Sequence, residues 1–486
     1  MNWNLDIAIV IAFLLANIFL GLRSARGIKT IQEYAIGNRN FSTATIASTI
    51  VATWIGAGFF SIAISQTYQD GIWFVVCGTG DAIALIIIGL ILGPRMKRTL
   101  GNLSVAETMG NFYNRKIRII SALASIAISV GAIALQIKVL STLFNHFFEV
   151  SSIYGVIISS GIVILYSTLG GIKSVTFTDV IQFLTFGAFT PVFIIFVWKA
   201  VGNYDSVIAV LQNNQLFNYN ELINYQNPKF FPYLTLFLYY MIPAMDPAIF
   251  QRILIAKDVK QIRLSFVIAA LVCLVIFLII CSIGIIMYSY NPNLDPNNLV
   301  MHIVDNYSYI GLKGITLVGI MAMIMSTADS YINSASVIFS HDFCKPIGIT
   351  FGKGELFISR LFAVFIGISA LILALTANNL LDLLLLAGNF YIPIVIPPLI
   401  VAILGYPIKS NSALNGIIGG IVSVILWKLY FQEATGVDSI IPGMFTNLIV
   451  LILSQYFIHK QPEKLELVNS SDGQTVRNQQ LKKNSF

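Results

Sequence analysis

Repeated apolar runs of about twenty residues constrain this chain more than any other feature. A helix needs about 20 apolar residues to cross the hydrocarbon layer of a bilayer, where its backbone hydrogen bonds must be satisfied internally. Of the 486 residues, 57% are hydrophobic and only 10% are charged, whereas soluble domains carry about 25% charged residues. The sequence therefore predicts an all-α integral membrane protein in contact with the lipid bilayer.

Polar breaks divide the apolar sequence into thirteen predicted membrane helices. Basic residues follow the first run and do not precede it, which is the reverse of a cleavable signal peptide, so this run is retained as a span. The polar Gln/Asn/Ser-rich end, 461–486, is predicted to be a disordered cytoplasmic tail after a single transmembrane domain, 1–460. The predicted spans are 5–22, 42–66, 72–93, 118–141, 151–170, 175–198, 230–251, 264–288, 309–338, 356–376, 381–404, 412–430 and 441–459.

The placement of basic residues predicts the orientation of these spans. Cytoplasmic loops accumulate Lys and Arg, and an external N-terminus puts most of the 29 basic residues on the cytoplasmic side. Three predicted external loops, 67–71, 289–308 and 431–440, contain neither Lys nor Arg. We therefore expect a plasma membrane protein (inner membrane in a bacterium) with its N-terminus outside and its C-terminus in the cytoplasm. The net charge of +7 thus reflects orientation and lipid headgroups, so no nucleic acid partner is expected.

Two predicted spans contain residues that interrupt a helix. The second includes Gly56 and Gly58 in mid-membrane, and the seventh includes Pro243 and Pro247. Interrupted helices at matching positions of two repeats mark substrate and ion sites in many transporters, and these two spans are five apart. The alternative is that small residues only allow helices to pack closely.

The ninth span carries a polar face inside an apolar helix. Ser326, Ser330 and Asn333 recur at helical spacing, and Asp329 lies on the same face. Neutral oxygens with few carboxylates suit a hard cation such as sodium, and backbone carbonyls released near residues 52–55 would complete its shell. The alternative is that these hydroxyls bond to carbonyls of their own or a neighbouring helix.

Four carboxylates within or beside the predicted spans are candidates for a functional role, because charge is costly in a membrane and usually functional there. They are Asp81, Asp179, Asp246 and Asp329. Asp179 and Asp329 lie close to cytoplasmic ends, so a solvated boundary position stays open for both. Asp81 could instead accept hydrogen bonds from a neighbouring helix without touching a solute. The four cysteines lack metal-ligand spacing and are expected to be free and buried.

Three motifs together resemble the sodium:solute symporter family, which includes proline, pantothenate, sialic acid, sugar and choline carriers. Residues 170–182 are similar to its Gly-Gly…Thr-Asp-x-x-Gln signature, and the other two motifs are Met325–Ser330 and Phe250-Gln251-Arg252. The resemblance covers about 5–460. It implies a leucine-transporter-like fold with inverted five-helix repeats at about 42–198 and 230–404, and three further helices at 5–22, 412–430 and 441–459.

The resemblance also implies which residues bind sodium. One sodium ion would be bound by the backbone carbonyls of Ala52, Ile55 and Met323 and by the hydroxyls of Ser326 and Thr327. Some members bind a second sodium ion, whose residues here would be Asp179, Asp329 and Ser330. Because Asp329 replaces a hydroxyl of that pattern, the second site and the stoichiometry stay open.

The solute site is less constrained by the resemblance. Thr53-Trp54-Ile55-Gly56 is similar to the choline-carrier branch, in which a Trp helps to enclose a quaternary ammonium by cation–π contact. Asp246 stands where that branch has a second Trp. The candidate solute residues are therefore Trp54, Gly56, Asp81 and Asp246, and simple packing between helices remains an alternative for Trp54.

These observations predict a secondary active transporter that couples Na+ to the uptake of a small organic solute. The solute classes left open are amino acids, amines, carboxylates and sugars, and no obligate protein partner is inferred. A proton-coupled permease of the same fold is the alternative; a channel is disfavoured because no repeated pore loop or charged ring is evident. A receptor would need a signalling domain. An enzyme is not expected, because the four histidines lie apart from the polar face of the ninth span.

Overall fold

The computed structural model describes residues 3–148, 151–349, 354–376, 388–389 and 391–458. Throughout these ranges the regular structure is helical. Nine of the described helices are long and apolar enough to cross a membrane, or ten when one bent pair counts as a span. The prediction of an all-α membrane protein is confirmed, whereas the count of thirteen spans stays a prediction. The tail 461–486 and the first part of the span 381–404 lie outside the described residues.

Most helices agree with the predicted spans to within about five residues where both are described, whereas α7, Arg115–Phe148, extends past the predicted end at residue 141. Turns of π-helix, Ile87–Leu92 and Phe339–Cys344, extend the fifth and fourteenth helices. The helices are α1 Trp3–Ser24, α2 Ile31–Ile36, α3 Thr43–Trp54, α4 Ala57–Asp70, α5 Ile72–Ile86, α6 Val105–Phe112, α7 Arg115–Phe148, α8 Ser152–Val201, α9 Tyr204–Asn213, α10 Phe230–Met241, α11 Pro247–Leu254, α12 Val259–Tyr290, α13 Leu299–Tyr307, α14 Leu312–Ile338, α15 Gly354–Thr376, α16 Ile392–Ile403, α17 Ser410–Tyr430, α18 Gln432–Thr435 and α19 Ile440–Ile458.

The predicted interruption of the second span is confirmed. Helices α3 and α4 meet at a 58° bend, and Ile55 between them has a non-helical ψ of 84°. The amide of Gly56 bonds to the carbonyl of Trp54 at 3.2 Å, so it does not bond to Ala52 as it would in a continuous helix. The carbonyl of Ala52 is thereby released from the helical ladder in the middle of the molecule.

The seventh span is also interrupted, between α10 and α11. Asp246 caps α11, its Oδ1 accepting a hydrogen bond from the amide of Ile249 at 2.9 Å, and Pro247 occupies the first turn. A carboxylate cap followed by proline is a favourable helix start, because proline lacks a donor where none is needed. Both breaks therefore follow from local sequence chemistry.

The fifth and sixth predicted spans form a single run, α8, that is broken at Gly171. This residue has φ 53° and ψ −170°, a conformation open mainly to glycine. A Cβ atom at this position would lie 2.9 Å from the carbonyl oxygen of Tyr34 in α2. The second glycine of the Gly-Gly signature is thus required for the close approach of α2 to α8.

The polar segments contain short helices that the hydropathy pattern did not predict, including α6, α9 and α13. Their starts carry local signals, since Ser104 caps α6 and its Oγ accepts from the amide of Glu107 at 2.9 Å. The same serine donates to Asp342, which forms an ion pair with Arg118 at 2.8 Å. Helix α6 is thereby attached to α7 and to the π-helical turn after α14.

Helix α14 occupies the centre of the bundle. In its most apolar window 89% of the residues are buried, and it contacts α1, α3, α7, α8 and α15. Hydroxyl and carboxylate side chains on such a helix face protein and not lipid. All four cysteines are free and buried, as predicted.

Candidate functional site

Oxygen atoms from the end of α3 and the middle of α14 converge at the first break. The hydroxyl of Ser326 donates to the carbonyls of Ala52 at 2.8 Å and Met323 at 3.1 Å. The hydroxyl of Thr327 donates to Met323 at 3.1 Å and Thr53 at 3.3 Å. Each hydroxyl therefore bonds both to its own helix and across to α3. The hydrogen bonds expected of a purely structural role and the oxygen cluster expected of a sodium site involve the same atoms.

This oxygen cluster fits a bound sodium ion. Hard cations of similar size hold oxygen ligands at about 2.3–2.6 Å, which places neighbouring ligands roughly 3 Å apart. The hydroxyls can turn their protons away and present lone pairs. Ala52, Met323, Ser326 and Thr327 are thus brought together as the resemblance implies. Ile55 lies at the break, but its carbonyl as a ligand stays a prediction.

Thr53 is a further candidate ligand. It lies within the segment 52–55, but the ligand set that the resemblance implies does not include it. Its carbonyl accepts from Thr327, and its hydroxyl lies 3.2 Å from the hydroxyl of Ser330. The available signal was its position inside the interrupted segment, where any released carbonyl becomes a candidate.

The residues of the possible second ion site also come together, but around an arginine. The guanidinium of Arg252 bonds to the carboxylate of Asp179 at 2.9 Å and to the hydroxyl of Ser330. Ser330 in turn lies 3.4 Å from the carboxylate of Asp329. Arg252, Asp179 and Asp329 are all fully buried, so the solvated-boundary interpretation of the two aspartates is wrong.

Arg252 is the functional side chain whose importance sequence reasoning missed. The sequence places it in the motif Phe250-Gln251-Arg252 and among the basic residues of a cytoplasmic segment, but the side chain is fully buried. A basic residue five positions after Pro247, at a helix break inside the membrane, was the available signal. Its guanidinium supplies a fixed positive charge beside Asp179, and Thr49 completes the cluster by donating to the same carboxylate.

A cavity of about 180 Å³ adjoins the oxygen cluster and is bordered by both helix breaks. All four candidate solute residues line it, and so does Thr327 of the oxygen cluster. Gln136 is a further polar wall residue that the sequence did not indicate; its Oε1 accepts from the amide of Ala57 at 3.2 Å. The remaining lining includes Phe59, Ile62, Ile128, Ala132, Leu135, Tyr239, Tyr240, Ile242, Ala244, Ile249, Tyr331, Gly388 and Ile392.

Gly56 admits the close packing around this cavity. A Cβ atom there would lie 2.7 Å from Nε2 of Gln136 and 3.0 Å from the hydroxyl of Thr327. The small-residue packing alternative therefore holds for Gly56, although the same residue also borders the cavity. A larger side chain would press on the oxygen cluster.

Comparison with known proteins decides the family. The model of the sodium:solute symporter family matches residues 34–420. The chain belongs to the sodium:solute symporter family. The predicted resemblance is therefore confirmed, and the protein is a sodium-coupled solute transporter and not an enzyme.

Relatives in this family are distant in sequence but similar along most of their length. A putative sodium-dependent multivitamin transporter of Drosophila melanogaster is 24% identical, over 86% of this chain and 73% of the relative. A high-affinity choline transporter of Torpedo marmorata is 25% identical, over 88% of this chain and 76% of the relative. These two proteins are named for different small organic solutes.

The fold is shared with a solved symporter structure. The substrate-bound, outward-open structure of a Na+-coupled sialic acid symporter superposes with a TM-score of 0.81, covering 93% of this chain and 98% of that chain at 17% identity. This likeness confirms the leucine-transporter-like fold. The repeat boundaries, 42–198 and 230–404, and the orientation of the termini stay predictions.

Proposed function

We propose that this symporter imports a small organic solute by alternating access, with a sodium ion bound between the break after α3 and helix α14. The observation that carries the proposal is the cross-bonding of Ser326 and Thr327 to the carbonyls of Ala52 and Thr53. Ala52 and Thr53 belong to α3, whereas Ser326 and Thr327 belong to α14. A cation bound by all four residues therefore bridges the two helices.

Sodium binding favours the conformation in which α3 and α14 are in contact. A ligand shifts an equilibrium only as far as it binds one state more tightly than the other. If α3 moves away from α14 in the inward-open state, the shell loses ligands and sodium is released. Thr327 also lines the solute cavity, so the two cargoes occupy adjoining sites and promote each other's binding.

One sodium ion supplies enough energy for accumulation. A single charge crossing about 100 mV contributes about 2.3 kcal/mol. A tenfold sodium gradient adds about 1.4 kcal/mol. For an uncharged solute the sum sustains a gradient of roughly several hundredfold, and a cationic solute gains the membrane potential in addition.

We infer a stoichiometry of one sodium ion from Arg252. The pocket formed by Asp179, Asp329 and Ser330 already contains this guanidinium, which bonds to Asp179 and Ser330. The oxygens that a second ion would need from Asp179 and Ser330 are therefore already engaged by this guanidinium. The Arg252 charge therefore takes the place of a second coupling ion.

Proteoliposome uptake distinguishes sodium coupling from the proton-coupled alternative. Labelled amino acids, amines, carboxylates and sugars are offered under an inward sodium gradient, and again in potassium medium under an inward proton gradient. We expect accumulation only with sodium. Equal accumulation with protons alone would contradict the proposal. Protein-free liposomes provide the baseline.

A further inference from the structure

The charge lining the solute cavity is entirely negative among its described residues. Asp81 and Asp246 border it, and no Lys, Arg or His does. A solute that carries a carboxylate would meet two like charges and no basic partner in this cavity.

Both carboxylates are bordered by aromatic side chains. Trp54 and Tyr331 line the same cavity as the two carboxylates. Tyr239 and Tyr240 complete the aromatic wall. Aromatic faces attract cations, and this attraction strengthens when water is excluded.

The carboxylates that line the cavity favour a cationic solute. The oxygen cluster around Ser326 offers a sodium ion only neutral ligands, namely hydroxyls and carbonyls. Asp81 and Asp246 are therefore not ligands of that ion, and carboxylates are costly to place in a membrane without cationic partners.

The carboxylates also select for N–H groups on the cation. A protonated amine donates short, charge-assisted hydrogen bonds to a carboxylate, whereas a quaternary ammonium has no proton to donate. The residue at position 246 is an acceptor and not a second tryptophan, so this cavity recognises hydrogen-bond donors as well as charge.

We propose that the transported solute is an organic ammonium ion that carries at least one N–H and is held by Asp81 and Asp246. This assignment rests on the proposed function and specifies its solute. The cavity volume, about 180 Å³, equals roughly six times the volume of a water molecule in the liquid, near 30 Å³. The cavity is therefore suited to a small amine.

A methylation series tests the N–H requirement directly. Purified protein in saturating sodium is titrated with ethanolamine, N-methylethanolamine, N,N-dimethylethanolamine and choline, and binding is read from the rise in unfolding temperature. We expect the three protonated amines to bind at least about tenfold more tightly than choline, because only they donate to a carboxylate. Glycolate, an anion of similar size, should not bind.

Variants of the two aspartates provide the second part of the test. Asn is as good a helix cap as Asp, so Asp246→Asn preserves the start of α11 while it removes the charge. We expect Asp246→Asn and Asp81→Asn to weaken binding of the protonated amines and to reduce their preference over choline to about threefold or less. Asp205→Asn, at an exposed position in α9, should leave the series unchanged.

The outcomes separate this assignment from the proposed function. Sodium alone should raise the unfolding temperature in the absence of any amine, and failure of that response would count against the sodium site. If sodium stabilises the protein but choline binds as well as the protonated amines, glycolate binds, or none of the amines binds, the solute assignment is wrong and the sodium site stands.

Discussion

Arg252 has the largest consequences of any single residue in this structure. Its side chain is fully buried, and its guanidinium bonds to Asp179, Thr49 and Ser330. Charges removed from water are tolerated only when they are paired and hydrogen-bonded. The motif that contains Arg252 was visible in the sequence, but burial of its last residue was not. Only the fold shows that it is partnered by an aspartate 73 positions away.

Removal of Asp179 should leave Arg252 as an uncompensated buried charge. We expect Asp179→Ala to cost about 3–5 kcal/mol of folding free energy, and the double variant Asp179→Ala/Arg252→Met to recover most of that loss. Unfolding in detergent, monitored by intrinsic fluorescence, measures the folding free energies of both variants. An Asp179→Ala protein as stable as the exposed control Asp205→Ala would show that the pair does not contribute to folding.

The sodium-site residues were predictable because motif and helical spacing coincide there. Ser326 and Thr327 share the motif of the ninth span, and Ala52 lies in an interrupted segment. Their contact joins positions 274 residues apart, which no local pattern encodes. For that reason Thr53 was not predicted as a ligand and Gln136 was not predicted as a cavity residue. The position of a polar residue in a predicted span does not indicate which cavity it borders.

At the scale of helices, glycine and proline made the breaks predictable. The interruptions at residues 55–56 and 242–246 follow from Gly56, Pro243 and Pro247. The short helices α6, α9 and α13 were not predicted, because apolar length was the criterion and these are polar or amphipathic. Capping serines and asparagines mark some of their starts, and that signal was available.

Gly171 fixes the junction between α2 and α8. An alanine there must adopt a positive φ with an extended ψ, which costs about 1–3 kcal/mol, and its Cβ would press on the carbonyl of Tyr34 at 2.9 Å. We expect Gly171→Ala to lower the unfolding temperature markedly. Gly161→Ala in the same run meets no atom within 4 Å and serves as the control. Equal unfolding temperatures for the two variants would contradict this role.

Gln251 connects three helices at the end of the bundle predicted to face the cytoplasm. Its Nε2 donates to the carbonyl of Ala35 in α2 at 2.8 Å and to Asn333 in α14 at 2.9 Å. These contacts hold α2 and α11 against α14, two turns beyond Ser326. Loss of the amide should therefore favour the inward-open state, because each lost hydrogen bond removes about 1 kcal/mol from the closed arrangement.

Cysteine accessibility measures this shift. The reporter is Ser334→Cys in a background that lacks Cys77, Cys273, Cys281 and Cys344, because Ser334 is buried on α14 below the site. We expect Gln251→Ala to increase labelling from the cytoplasmic face severalfold. Gln69→Ala, at an exposed position, should not. Unchanged labelling in Gln251→Ala would exclude a role in closure.

At the scale of the whole molecule, hydropathy alone predicts the class of protein, an all-α membrane protein. The family motifs predict its architecture. The all-α membrane fold and its likeness to a sodium-coupled symporter are confirmed. The cavity could not be predicted, because only tertiary packing brings its residues together. They come from α3, α4, α5, α7, α10, α11, α14 and α16. Orientation of the termini still depends on the distribution of Lys and Arg.

Sodium titration of the purified protein tests the central claim most directly. Ligand binding to the folded state raises stability in proportion to RT ln(1 + [L]/Kd). We predict that sodium, and not potassium, stabilises the wild-type protein and the control Ser334→Ala, whose hydroxyl bonds to its own helix. Ser326→Ala/Thr327→Ala should need at least about tenfold more sodium for the same effect, a loss of about 1.4 kcal/mol in binding. A double variant that responds to sodium like the wild type, or a wild type stabilised equally by potassium, would contradict the account.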